Sequence, residues 1–117
     1  MGSTGPWAAL CEETAVTVVV TATVHPAEGR LEEVLEIFSR HVEAVHQEPG
    51  CELYALHAQG ADLVVIEKWS DPELLRAHSG GAALAALNQE LDGLLAAPAE
   101  VLLLNPRPAG DPAKGAL

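Results

Sequence analysis

The order of strand and helix patterns in this 117-residue chain predicts an α+β fold, with helices on one face of a four-stranded antiparallel sheet. Three observations predict it: a β-branched run without charge, two amphipathic helical stretches, and a hairpin between them. The resulting order is β-α-β-β-α-β, the ferredoxin-like split arrangement. We predict a single domain at 15–105, a flexible segment at 1–14 and a disordered tail at 106–117.

The first half of the chain contains a strand and a long helix. Valine and threonine dominate residues 15–25 with no charge among the strand positions, and Pro26 closes this strand. A helix is predicted over 29–47 because apolar residues recur every three or four positions, and Pro49 with Gly50 ends it. The apolar stripe of that helix consists of Leu31, Val34, Leu35, Phe38, Val42 and Val45.

A hairpin and a capped helix follow. Residues 51–58 and 62–69 are predicted strands joined by a short turn. Ser70 or Asp71 can cap the next helix, which runs to about Ser79.

The last part of the domain holds a second helical stretch and a final strand. Gly80 and Gly81 break the short helix. Leucines at helical spacing predict a helix over 82–95, and Pro98 ends it. The last strand is predicted at 101–104.

Both faces of the predicted sheet carry apolar residues. Val64 and Ile66 oppose Leu63 and Val65, and the residues of the last strand alternate in the same way. The helices cover one face only. Leaving the second face in water forfeits several kcal/mol at roughly 25 cal/mol per Å². We therefore predict a homodimer in which two sheets stack.

Composition excludes several classes of function. A net charge of −11 argues against binding to nucleic acid or an anionic membrane. The chain has neither a long apolar run nor a signal-peptide pattern, and its two isolated cysteines, Cys11 and Cys51, fit a reducing cytoplasm. His41 and His46 lie about 140° apart on a helix, so we expect no metal site. No phosphate-binding glycine pattern predicts a nucleotide cofactor.

One segment concentrates the candidates for chemistry. Glu67 and Trp69 share a face of the third strand, and His78 lies on the following helix, near enough to fold back over them. An acid, an aromatic wall and a group that titrates near neutral pH then meet in one cavity.

These residues carry a resemblance to a known family. Glu48-Pro49-Gly50-Cys51 opens the second strand, Tyr54 follows, and Glu67, Trp69 and His78 come in that order. Over about residues 16–104 the chain resembles the antibiotic biosynthesis monooxygenase domain family, which includes quinol monooxygenases. The resemblance implies a dimeric α+β barrel with one pocket per subunit between the sheet and the helices.

The resemblance also implies an activity, which is oxidation of a quinol or polycyclic phenol by O₂ without metal or flavin. A related branch degrades haem with an axial histidine, whose matching position here is Asn88, and this departure argues against haem. We expect no cofactor and a small aromatic or quinone-like ligand.

Each candidate residue has an alternative interpretation. His78 is the candidate base or the group that hydrogen-bonds the substrate oxygen, or else it caps its helix or bonds a carbonyl beside Gly80. Glu67 orients the base or binds a hydroxyl, or else it pairs with Arg76 or another cation. Trp69 stacks on the substrate or packs in the core. Tyr54 and Asn88 are candidate substrate ligands, or else Tyr54 is a core residue.

Two other functions fit the same sequence. The aromatic content of 3% favours a non-catalytic dimeric barrel that binds an apolar metabolite. A polyketide cyclase or isomerase would use the same pocket without O₂.

Overall fold

The computed structural model describes residues 17–117 and confirms the predicted fold. The elements are β1 (Val18–Pro26), α1 (Leu31–His46), β2 (Cys51–Gln59), β3 (Asp62–Trp69), α2 (Pro72–Ser79), α3 (Ala82–Leu91) and β4 (Leu95–Leu104). The strands form one antiparallel sheet in the order β2-β3-β1-β4. The predicted segment 1–14, with Cys11, and positions 15 and 16 of the predicted first strand lie outside the described residues.

Strand alternation divides the sheet into a face under the helices and an outer face. On β3, Leu63 and Val65 are buried under the helices, whereas Val64 and Ile66 are half-buried on the outer face. On β4, Leu102 pairs with Thr21 on the outer face and is 61% exposed. The outer face therefore carries the apolar residues expected from the sequence.

The prediction for residues 92–95 was wrong. We expected α3 to continue to residue 95 and the last strand to begin at 101, but α3 ends at Leu91 and β4 begins at Leu95. Gly93 has φ +83° and turns the chain, and the Ala27 amide then donates to the Leu94 carbonyl at 2.8 Å. The leucine spacing misled the prediction because it continues past the glycine that ends the helix.

Pro98 lies inside β4 instead of ending a helix. β4 is an edge strand, and its pairing with β1 shifts register between Thr23 and His25. The shift leaves residues 98 and 99 opposite a single residue of β1. A proline, which lacks an N–H, is tolerated at such a bulge.

Residues 105–117 contain no helix or strand. The Lys68 ammonium on the outer face donates to the Leu117 carbonyl at 2.7 Å. Across residues 17–117, no helix has the length and apolarity needed to cross a membrane.

Candidate functional site

The alternation of side chains along β3 places Glu67 on the face under the helices. Glu67 and Trp69 follow Leu63 and Val65 at every second position, so all four share one face. Glu67 is 6% exposed and Trp69 is fully buried. β3 thus presents one carboxyl group to an otherwise apolar layer.

The cap of α2 fixes where His78 lies. The Asp71 carboxylate accepts a hydrogen bond from the Leu74 amide at 2.9 Å, and Pro72 occupies the first turn. The helix therefore begins directly after β3 and reverses over it. His78, about two turns along, is the buried residue of α2 and is 6% exposed.

The turn between α1 and β2 docks against the start of α2. Gly50 has φ +85°, and a Cβ atom there would lie 2.5 Å from Cδ1 of Leu74. The Ser70 amide donates to the Gly50 carbonyl at 2.9 Å. A glycine at this position is therefore required by both conformation and space. The docked turn holds Glu48 beside α2.

Glu48 and His78 form a close pair. Oε1 of Glu48 lies 2.7 Å from Nδ1 of His78, and the two side chains are 20% and 5% exposed. Because a carboxylate only accepts, Nδ1 carries the proton and donates it. Nε2 is left on the side of Glu67, 4.0 Å from its Oε1. That gap is longer than a hydrogen bond and leaves Nε2 free for another partner.

Aromatic contacts hold the imidazole ring in place. The Trp69 indole stacks on His78 with 4.6 Å between centroids and a 30° angle between planes. Tyr54 meets the same imidazole edge-on at 5.9 Å. These contacts restrict the rotation of His78.

Glu67 receives a hydrogen bond from the indole. Nε1 of Trp69 donates to Oε1 of Glu67 at 2.9 Å. Burial raises the pKa of Glu67, and the nearby Glu48 charge raises it further. The indole hydrogen bond, and the charge of His78 when that ring is protonated, oppose the rise. The raised pKa favours the protonated carboxyl group. Burial also raises the pKa of Tyr54, with smaller contributions from Glu67 and Glu48, so its phenol stays neutral.

A cavity of about 260 Å³ adjoins these groups. Four of the predicted residues, Tyr54, Glu67, His78 and Asn88, line it. The rest of the wall is mainly aliphatic, from β1, β4 and α3, with Phe38 from α1. Trp69 is not among the lining residues, because it lies behind His78 and Glu67, and its contacts there are with those two side chains.

The structure decides between the alternative interpretations of two residues. Arg76 pairs with Glu73 at 2.9 Å, so it is not the partner of Glu67. His78 bonds a side chain, Glu48, instead of capping its helix. Within the described residues, no group of three potential ligands could hold a metal ion.

Glu48 is the residue that sequence reasoning missed as part of the site. Its place in the turn before Pro49 gave no periodicity to interpret. The available signal was the glycine two residues later, since a required Gly50 indicates that the turn approaches another element closely.

Comparisons with known proteins identify the family and the fold of the chain. Residues 17–90 match the family model described as antibiotic biosynthesis monooxygenase. The fold is similar to that of Rv0793 from Mycobacterium tuberculosis, with a TM-score of 0.73 and 23% identity over 81% of this chain and 99% of that one.

Two further solved structures share the fold. A protein from Caulobacter crescentus, described as a candidate antibiotic biosynthesis monooxygenase, has a TM-score of 0.72 and 21% identity, covering 79% of this chain and 91% of its own. Another, described as an antibiotic biosynthesis monooxygenase, has a TM-score of 0.70 and 24% identity, covering 78% and 99%. No curated protein matches the chain.

Proposed function

The chain belongs to the antibiotic biosynthesis monooxygenase family, and from this premise we propose that it oxidises a quinol or polycyclic phenol with O₂ and needs no cofactor. One observation carries the proposal. A buried histidine is bound through Nδ1 to Glu48, and its Nε2 faces a second carboxyl group across 4.0 Å beside a largely apolar cavity.

The reaction balances without an external reductant. One quinol and one O₂ give one hydroxyquinone and one water. One oxygen atom forms the new bond to a ring carbon and the other leaves as water. The quinol supplies all four electrons.

His78 acts as the base that starts this reaction. Its free Nε2 takes a phenolic proton, and the electron-rich phenolate then transfers one electron to O₂. The two radicals combine to a peroxide on a ring carbon, and the peroxide takes the proton back. Loss of the ring C–H proton together with cleavage of the O–O bond releases water and leaves a carbonyl. General-base assistance of this kind contributes about 10²–10⁴-fold.

Glu48 is a positioning residue for this step. Its carboxylate holds the proton on Nδ1 and thereby keeps Nε2 in the acceptor form. A carboxylate plays the same part for histidine in hydrolytic triads.

Glu67 acts on the oxygen side of the reaction. A protonated Glu67 donates a hydrogen bond to a substrate oxygen or to the peroxide, while its Oε1 still accepts from Trp69. Tyr54, as a neutral phenol, and Asn88 bind substrate oxygens from the cavity wall. Trp69 contributes by holding Glu67 and His78 in place.

The proposed enzyme is a homodimer. Two copies stack through their outer faces, which carry Leu102, Leu104, Val64 and Ile66. Covering these side chains removes apolar surface from water and leaves the cavity under each subunit's helices.

Oxygen uptake by chelator-treated protein tests the proposal. A panel of hydroquinones and polycyclic phenols is offered to wild type, to His78→Ala, and to His41→Ala as a matched control, since His41 lies on α1, contacts Glu90 of α3, and belongs neither to the cavity wall nor to the outer face. We expect uptake by wild type and the control, and a loss of at least about 10²-fold in His78→Ala. No uptake by wild type across the panel would contradict the proposal. Conversion of a substrate without O₂ would instead indicate a cyclase or isomerase that uses the same acid and base.

A further inference from the structure

A second hollow of about 590 Å³ adjoins the catalytic cavity. The two spaces share Ser79 on α2 and Val101 on β4 as lining residues. Along β1, Ala22 and Val24 line the first space, and Val18 and Val20 line the second. These are successive positions on one face of a single strand, so the two hollows lie end to end along β1, and together they are called the trough.

The reacting groups lie where the two spaces meet. Glu67 pairs with Val20 in the sheet, and the next helix-facing pair joins Val65 to Ala22. His78 precedes the shared Ser79 in the chain. A ring in the first cavity would lie against His78 and Glu67, which line it, and the shared residues Ser79 and Val101 mark the side on which the second hollow begins.

The wall of the second hollow is mainly aliphatic. It is formed by Val18 and Val20 on β1, Leu75 on α2, and Val101 and Leu103 on β4. Its polar lining residues besides Ser79 are Arg76 and Asn105, and Arg76 is already paired with Glu73. Such a wall offers neither an aromatic side chain for stacking nor a buried polar group for a hydrogen bond.

The exposure of β4 also indicates an apolar occupant. Val101 and Leu103 are 58% and 64% exposed, and both point to the helix side, away from the outer face used in the proposed dimer. An aliphatic chain in the trough would cover them and gain the corresponding free energy of burial.

We propose that the substrate is a quinol or phenol that carries a long aliphatic substituent, with its ring in the catalytic cavity and its chain in the second hollow. This inference rests on the proposed function for the identity of the ring. The length and the aliphatic lining of the trough are the grounds for a long aliphatic substituent. The aliphatic chain of the substrate passes Leu103 and lies along the lining residues from Val101 to Asn105, which are four strand residues or about 13 Å apart.

Binding under anaerobic conditions tests the inference apart from turnover. Calorimetry measures Kd for 2-alkyl-1,4-hydroquinones from methyl to decyl with the full chain. Each added methylene that is fully buried lowers Kd by about fourfold, and the gain ends once the chain leaves the trough. Kd that does not change with chain length overturns the inference.

Two aspartate substitutions on neighbouring positions of β4 supply the matched control. Leu103→Asp places a charge in the second hollow and should flatten the dependence of Kd on chain length. Leu102→Asp places the same charge on the outer face, at a leucine of similar exposure. It should keep that dependence even where the dimer is weakened, because both hollows are lined by residues of one subunit. Non-specific partitioning of the alkyl chain would be the same in both variants and would count against the inference.

A second variant and a measurement of assembly check that the effect of Leu103→Asp arises in the second hollow. Leu75→Gln alters the opposite wall of the hollow on α2 and should weaken the chain-length dependence in the same direction. Light scattering on Leu103→Asp checks assembly, because loss of the dimer in that variant would assign the hollow to the subunit contact and overturn the inference. Binding that depends on chain length without oxygen uptake would contradict the proposed oxygenase activity and support the alkyl-binding trough. Oxygen uptake with short quinols, together with a Kd that does not change with chain length, would support the activity and contradict the trough.

Discussion

Replacing Glu48 by glutamine tests how the site prepares its base. The substitution keeps the size of the side chain and removes its charge. The bond lost is 2.7 Å long and joins a largely buried carboxylate to a buried imidazole. Hydrogen bonds to charged groups contribute about 1.5–3 kcal/mol, which corresponds to about 10- to 150-fold in rate.

A second effect adds to that loss. The glutamine amide can donate to Nδ1, which would move the imidazole proton to Nε2 and remove the lone pair that accepts the substrate proton. The wrong tautomer costs about 10⁴-fold in a Ser-His-Asp triad. We therefore expect kcat of Glu48→Gln to fall by about 10²–10⁴-fold, with little change in KM, because Glu48 is not a lining residue of the cavity.

Steady-state oxygen uptake over a range of quinol concentrations separates kcat from KM. Glu33→Gln is the control, since it makes the same chemical change on a 47% exposed side chain that pairs with Arg30 at the start of α1. Circular dichroism and thermal unfolding show whether either variant is folded. Full activity in a folded Glu48→Gln would refute the role given to the pair.

The remaining predictions concern stability and assembly. Glu67→Gln should raise the free energy of unfolding at pH 7 by about 1–3 kcal/mol, measured by urea titration. Since burial raises the folded-state pKa of Glu67 above its unfolded value, wild-type stability falls as the pH rises through the folded pKa, and the gain from glutamine should vanish near pH 4. Leu102→Asp should weaken the proposed dimer by about a thousandfold, because two copies each lose about 2 kcal/mol of burial. Light scattering over a dilution series measures this. Hydrogen bonds to Glu100 and then Asp62 raise the pKa of His25, so their stabilisation is present at low pH and is lost as the pH rises through the folded pKa. His25→Gln should lack that part of the pH dependence of unfolding, and an unchanged profile would contradict the assignment.

Most of the fold could be predicted from the sequence because the residues that begin and end its helices and strands act locally. Proline and glycine end several elements, and the Asp71 cap begins α2. The alternation of side chains along β3 puts Glu67 on the same face as Leu63 and Val65. The cap at Asp71 also made His78 predictable, since a helix that begins directly after β3 must return over it.

The sequence could not predict features that depend on contacts between distant elements. Whether Leu94 and Leu95 continue a helix or begin a strand depends on the pairing of β4 with β1, which the leucine spacing does not record. The contact of Glu48 with His78 spans 30 residues and depends on the docking of Gly50 against Leu74. The position of Trp69 behind the cavity depends on the rotation of α2.

Glu67 on β3 was a candidate from the sequence, and in the structure it is buried on the helix-facing side of the sheet. Its three helix-facing companions on that strand are apolar, so a carboxyl group among them lowers stability unless it is compensated. The indole N–H donates to Oε1 of Glu67, and Nε2 of His78 lies 4.0 Å from that same oxygen, too far for a second hydrogen bond. The remaining cost is the physical reason to assign chemistry to Glu67, because glutamine would satisfy the same indole without it. If Glu67→Gln is more stable and inactive, the carboxyl group is retained for its proton. If it is more stable and equally active, the chemistry belongs to His78 and Glu48 alone.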